Sequence, residues 1–228
     1  MLRVWIAPSL GDLPCTPSSS PARTSGVTGD VSIGCGHCEP CLNGSYNLCV
    51  TKQEVGLCRG KDGAFAQYLT MPARHCYRLP EGVSLEAGAL VEPAATVVKA
   101  IRKAGLEPGA LALITGDGPI GLLAAQAALA SGAGWVVLAG TEPTKLEIGK
   151  QLGVHRTVDV TRENLHEIVM DETRGRGVDL ALEGSGNGQA LNACLDGARQ
   201  GGRSRSSGST RSPSRSSTWA WRLRGTSL

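Results

Sequence analysis

The 228-residue sequence lacks any apolar run long enough to cross a membrane. The longest, around residues 119–130, spans 12 residues and carries Gln126, whereas a spanning helix needs roughly 18–20. The amino-terminal MLRVWIAPSLG has one arginine and neither an apolar core nor a cleavage site of the secretory kind, so export is not expected and a cytoplasmic location is. Charged residues are few, at 19%, and glycines many, at 31. That balance excludes a coiled coil and suits an α/β chain with many tight turns. No repeat recurs at the roughly 20–50-residue period of a solenoid.

One-sided charge is lacking as well. The formal net charge of +3 comes from one segment: residues 201–228 hold six arginines and no acid, which leaves 17 basic and 20 acidic groups in the first 200 residues. The body is therefore mildly acidic. The basic balance does not mark the whole chain as a nucleic-acid binder.

Eight cysteines are present, and four of them, Cys35, Cys38, Cys41 and Cys49, fall within 15 residues. In a reducing compartment, clustered cysteines point to metal before disulfides. The spacing is C-x2-C-x2-C-x7-C. Four thiolates on one short lobe match tetrahedral zinc, and with all four positions filled such a site is structural. An iron–sulfur cluster is the rival, since C-x2-C-x2-C also opens ferredoxin motifs, but the last spacing is too long for them. His37 lies inside the loop and reads as an exposed spacer.

Residues 1–29 are rich in Pro, Ser, Thr and Gly and read as loop or disordered. Residues 63–80 read as two short strands with Pro72 between them. From Ser84 the pattern changes to alternation. A helix runs from Pro93 towards Gly105. Apolar strands are predicted at 111–116, 135–140, 157–160 and 178–184, and helices at 119–132, 143–153, 163–175 and 188–202. Four strand–helix alternations predict a parallel, doubly wound sheet. The segment after Gly202 holds nine serines and six arginines with almost no aliphatic residues, so the expected sheet stops at four strands.

The first turn of that sheet reads GDGPIG. Gly116 permits the tight turn, Gly118 lets a backbone approach a pyrophosphate, and Gly121 allows helix to pack on strand, with Pro119 and Ile120 between them. The helix start offers amide donors to phosphate. Because the motif follows a strand and opens a helix, it reads as a dinucleotide fingerprint. The acid expected at the end of the second strand is missing: Gly140 stands there, followed by Thr141 and Glu142. Without it a 2′-phosphate would not be repelled, and Lys145 could approach one, although Lys145 also reads as a solvated helix lysine; Glu142 could instead serve the ribose one turn later. Thr141 and Lys145 are candidate cofactor contacts, and both NAD and NADP stay open.

Three stretches, GDVSIGCGHCEPCLNGSYNLC, GAFAQYLTMPARHCYRLPEGVSLEAGALVEPAA and LITGDGPIGLLAAQAA, together resemble the zinc-containing medium-chain dehydrogenases over about residues 29–202. The sorbitol (L-iditol) and L-threonine dehydrogenase-like branch is the most similar. The resemblance implies a GroES-like catalytic domain with two zincs and a Rossmann domain with NAD(P). It also implies oxidation of a secondary alcohol or polyol by hydride transfer, with a catalytic zinc as Lewis acid. By position it makes Cys35, Cys38, Cys41 and Cys49 the structural zinc ligands and Gly116, Gly118 and Gly121 the pyrophosphate loop. It places Glu92, in LVEPAA, at the catalytic zinc, directly or through water. From the residues alone, Glu92 is a capping carboxylate just before Pro93.

The family pattern also needs a cysteine near the chain start and a Gly-His-Glu segment after it. Cys15, in DLPCTPSSS, lacks that context, and no histidine precedes His37. One carboxylate cannot build a site that takes three protein ligands, so no catalytic residue is assigned and impaired activity is expected. His75, His155 and His166 read as structural or surface groups. The expected organisation is an aberrant segment at 1–29, a GroES-like fragment with its zinc lobe at 30–104, a four-stranded Rossmann domain at 105–202 and a disordered Ser/Arg tail at 203–228. The abrupt composition change at both ends reads as truncation or a frame shift. The family is homo-oligomeric, but the strand that forms its dimer edge is not expected here. The alternative to a dehydrogenase is a non-catalytic, zinc-stabilised nucleotide-binding fragment. An RNA-binding arm built on the tail arginines with Trp219 and Trp221 ranks behind both.

Overall fold

A computed structural model of the chain describes residues 3–7, 26–57, 62–66, 68–206 and 221–223, the outermost strands by backbone alone. Contacts divide the chain into two units, Met1–Glu92 and Pro93–Leu228.

The first unit is built from short, local pairings. Strand β1 (Arg3–Ala7) runs parallel to β5 (Tyr68–Pro72). Strand β2 (Val27–Gly29) lies antiparallel to β6 (Cys76–Arg78), and β3 (Ser32–Ile33) antiparallel to β4 (Gln53–Glu54). Between β3 and β4 comes the single-turn helix α1 (Glu39–Leu42). Helix α2 (Leu85–Ala89) follows β6, and the Ser84 hydroxyl accepts from the Ala87 amide at its start. Two parts of the amino-terminal segment expected to be loop are therefore strands, Arg3–Ala7 and Val27–Gly29. Backbone ladder bonds hold them, and these need no apolar periodicity. Residues 8–25, including Cys15, lie outside the described residues.

Helix α3 (Val91–Ala104) spans the boundary. Its Val97, Ile101 and Ala104 join the second unit's core, which is why the division falls after Glu92 rather than at 104. The remaining elements are β7 (Leu111–Thr115), α4 (Pro119–Ala130), β8 (Trp135–Gly140), α5 (Pro143–Gln151), β9 (Arg156–Asp159), α6 (Leu165–Glu172), β10 (Val178–Glu183), α7 (Gly188–Gly197), β11 (Ala198–Ser206) and β12 (Trp221–Leu223). Side chains alternate across a strand, so each central strand feeds two cores. Ala112, Ile114, Val136, Leu138, Leu180 and Leu182 face one layer with Val97, Ala125 and Leu146. Leu113, Val137, Val158 and Ala181 face the other with Val169 and Cys194. A sheet buried on both faces needs continuous apolar strands, and these strands have them. Alanines 124, 125 and 128 on α4 are buried and let that helix lie close.

The sheet order is β12-β11-β10-β7-β8-β9. Counted along the chain, this is the 3-2-1-4-5-6 order of a dinucleotide-binding sheet, with its switch point between β7 and β10. The sheet therefore extends beyond the four strands expected from the sequence. Strand β11 runs parallel to β10, and β12 antiparallel to β11. Polar residues enter because the pairing is made by backbone groups, which the serine- and arginine-rich sequence retains. The price in regularity is visible: the register shifts between Val178↔Ala198 and Leu180↔Arg203, with Gly201 at φ +70° inside the shift. Helix α7 accordingly ends at Gly197 and not at 202. Residues 207–220, with Trp219, lie outside the described residues. Among the described residues no helix is long and apolar enough to cross a membrane.

Candidate functional site

The sulfurs of Cys35, Cys38, Cys41 and Cys49 all lie within 4.8 Å of one another. Local structure brings them together. Cys38 is the N-cap of α1 and Cys41 sits in its single turn, while Cys49 ends a 3-10 turn over Tyr46–Leu48. The Cys35 amide reaches the Cys49 sulfur at 3.5 Å. Gly34 is required here, because a Cβ would stand 2.7 Å from the Cys41 sulfur and 2.8 Å from the Tyr46 Cβ. Tyr46 is anchored in turn. Its hydroxyl donates to Asp30 Oδ2 at 2.5 Å, and its ring meets the edge of buried His75 at 5.5 Å. Zinc–sulfur bonds of about 2.3 Å in a tetrahedron set sulfurs about 3.8 Å apart. The Cys35–Cys41 pair stands at 3.9 Å. The donor set and its spacing fit a zinc ion.

The four thiols differ in how readily they ionise. The Cys49 thiol is pulled down to about 6, first by the Thr51 hydroxyl and then by the Cys35 amide. At Cys38 the Cys41 amide pulls the same way, but desolvation and the neighbouring sulfurs win and push it up to about 12. Four adjacent thiolates cannot all form without a positive charge among them. His37 is no part of the cluster: it is exposed, with its ring nitrogen 3.1 Å from the Cys35 carbonyl.

The second constellation lies at the carboxyl end of β7, at the switch point. Gly116 has φ +102°, and a Cβ there would stand 2.8 Å from the Ser185 amide nitrogen. At Gly121 a Cβ would run into the Gly116 carbonyl oxygen. At Gly118 it would meet nothing within 4 Å. Two glycines are thus required by the protein's own packing. The third borders open space at the N-terminus of α4, with Pro119 opening the helix and Ile120 half-buried against the core. Helix-start amides and the helix dipole at that point favour an anion such as a phosphate group.

Two acids at the switch point, Asp117 and Glu183, are not among the residues singled out from the sequence. Asp117 is buried, and its Oδ2 accepts from the amides of Thr141 at 2.9 Å and Glu142 at 2.7 Å. A Cβ at Gly140 would collide with this carboxyl group. The carboxylate missing at the end of β8 is therefore present in space, supplied from the glycine loop. The Asp inside GDGPIG was the available signal. Glu183, 1% exposed at the end of β10, accepts from the amides of Ser185 at 2.5 Å and Gly186 at 2.7 Å and so shapes the turn that closes on Gly116.

Of the other residues singled out from the sequence, Thr141 joins the second constellation through Asp117. Glu92 is exposed in the first turn of α3. Among the described residues no second group of metal-ligating side chains comes together. Thr141 and Lys145 are exposed at the end of β8 and in the first turn of α5, and Thr141 is tied to Asp117. His155 accepts from the Val136 amide at 3.0 Å, and His166 is exposed on α6.

Comparison with known proteins follows the same two-part division. Residues 22–81 match the family described as alcohol dehydrogenase GroES-like domain, and residues 119–220 match zinc-binding dehydrogenase. The chain is 37% identical over 177 residues to a sorbitol dehydrogenase of Bacillus subtilis, covering 78% of this chain and 50% of that protein. It is also 37% identical over 177 residues to an L-threonine 3-dehydrogenase of Alteromonas mediterranea, covering 78% and 51%. A Sinorhizobium meliloti structure, described as a zinc-binding dehydrogenase and bound to NADP, superposes with a TM-score of 0.75 at 29% identity, covering 84% of this chain and 56% of that one. The chain spans about half the length of the curated relatives it matches.

Proposed function

The chain belongs to the zinc-binding, medium-chain alcohol dehydrogenase family, and on that premise we propose that it carries the structural zinc lobe and NAD(P) site of an alcohol or polyol dehydrogenase. The substrate class is a secondary alcohol, as the sorbitol and threonine dehydrogenase relatives suggest. The observation that carries this reading is the glycine loop at the switch point, with open space beside Gly118.

In this reading Cys35, Cys38, Cys41 and Cys49 hold zinc and fix the lobe's fold. The amides at the start of α4 bind the pyrophosphate, Gly118 lets it approach, and Gly116 and Gly121 keep the loop in shape. The nicotinamide, when bound, supplies the acceptor for the hydride. A catalytic zinc has no fitting ligand set among the described residues, and no step is assigned to it. That observation favours a second reading, in which the chain binds zinc and nucleotide without turnover.

The test is zinc content together with nucleotide binding on the purified full chain. About one zinc per chain and saturable NADH or NADPH binding are expected. No zinc, or no binding of either nucleotide, overturns the proposal. Oxidation of sorbitol or threonine would then separate the dehydrogenase from the non-catalytic reading.

A further inference from the structure

We propose that Asp117 is the residue through which this chain reads the adenosine ribose of its cofactor, and that it selects the 2′-hydroxyl of NAD against the 2′-phosphate of NADP. The inference deepens the nucleotide reading above and rests on it.

In a doubly wound sheet the adenosine ribose lies at the end of the second strand, where an acid ordinarily accepts from its hydroxyls. Here that strand is β8, and it ends in Gly140. The vacancy at Gly140 is not open space, since the Asp117 carboxyl group fills the volume a side chain there would need. One carboxylate oxygen holds the amides of Thr141 and Glu142. Those two bonds leave the other oxygen available to accept from a ribose hydroxyl.

Two effects then act against a 2′-phosphate. The carboxylate places a negative charge where the phosphate would bring its own. It also consumes the two backbone donors at the end of β8 that could otherwise hold an anion. The side chains that follow, exposed Glu142 and Lys145, add one charge of each sign and do not cancel the buried acid. A hydrogen bond to a charged group is commonly worth about ten- to a hundred-fold in affinity, and that sets the size of the expected preference.

The experiment is titration of the purified full chain with NADH and with NADPH, read by calorimetry or nucleotide fluorescence. The wild type should bind NADH at least about ten-fold more tightly. Asp117→Asn keeps the shape and one acceptor oxygen, so it should weaken NADH and strengthen NADPH, bringing the ratio towards one. The double variant D117A/G140D returns the acid to the end of β8 and should restore the NADH preference. Equal or tighter binding of NADPH by the wild type overturns the inference. So does equal weakening of both nucleotides in Asp117→Asn, the sign of a purely structural role. If Asp117→Asn does not fold, the wild-type ratio and the double variant decide. If the wild type binds neither nucleotide, the dinucleotide reading itself has failed, and this inference with it.

Discussion

Two glycines of the same loop give opposite tests of what their positions are for. An alanine at 118 meets open space in the protein alone. Gly118→Ala should therefore fold with an unchanged melting temperature yet bind NADH more than about ten-fold more weakly, because the methyl occupies that space. An alanine at 121 meets the Gly116 carbonyl. Gly121→Ala should cost about 2–3 kcal/mol of stability before any ligand is added, measurable by urea unfolding. In the lobe, Cys41→Ser should lower bound zinc from about one per chain to near none, as read by plasma emission spectrometry, because the other three thiolates lose the fourth vertex of the tetrahedron. The roles of the glycines were legible in the sequence because each follows from backbone geometry. Asp117 was not, because the expectation fixes the acid by its distance along the chain, whereas the requirement is one of position in space.

Strand β11 was the element the sequence hid. Aliphatic runs announce strands buried on both faces, but a strand near the edge can be held by backbone bonds and a few side-chain ties. One tie is visible at Asp179 on β10. It accepts from the Leu111 amide of β7 at 2.8 Å and from Arg199 Nε of β11 at 2.6 Å, so it links three strands. Burial works against its charge, but the Leu111 amide and Arg199, with Arg176 nearby, outweigh it and hold the carboxyl below its ordinary range. A carboxyl with a depressed folded-state pKa stabilises fully above its unfolded value and loses that contribution as pH falls through the folded one. Asp179→Asn should therefore destabilise the second unit by about 1–2 kcal/mol at neutral pH. The difference should shrink as pH drops below about 4, where the unfolded aspartate also protonates. Calorimetric melting across that range checks it; a gap that stays constant into acid would refute the ion pair's part.

At the scale of the whole chain, the proposed sites give the two units different ligands. Chelation should remove the zinc and release hydrogen-exchange protection across residues 34–51 while β7, β8 and β10 stay protected. NADH at about a hundred times its dissociation constant should raise the second unit's stability by about 2.7 kcal/mol and leave the lobe's exchange unchanged. Loss of protection in both places on chelation would show that they fold as one. The alternation of strand and helix from Leu111 to Gly197 was legible because its residues obey two periodicities at once. The unit boundary was not, because α3 belongs by its contacts to the sheet that follows it rather than to the strands before it. The clash between a side chain at 140 and the carboxyl of Asp117 also bears on how the protein can change over generations. While Asp117 remains, every substitution at Gly140 meets a steric barrier, whatever benefit it would bring. Residue 117 must change first and residue 140 second, so the two codons are epistatic. A lineage that moves the acid from one to the other in that order passes through an intermediate whose nearest carboxylate is the exposed Glu142.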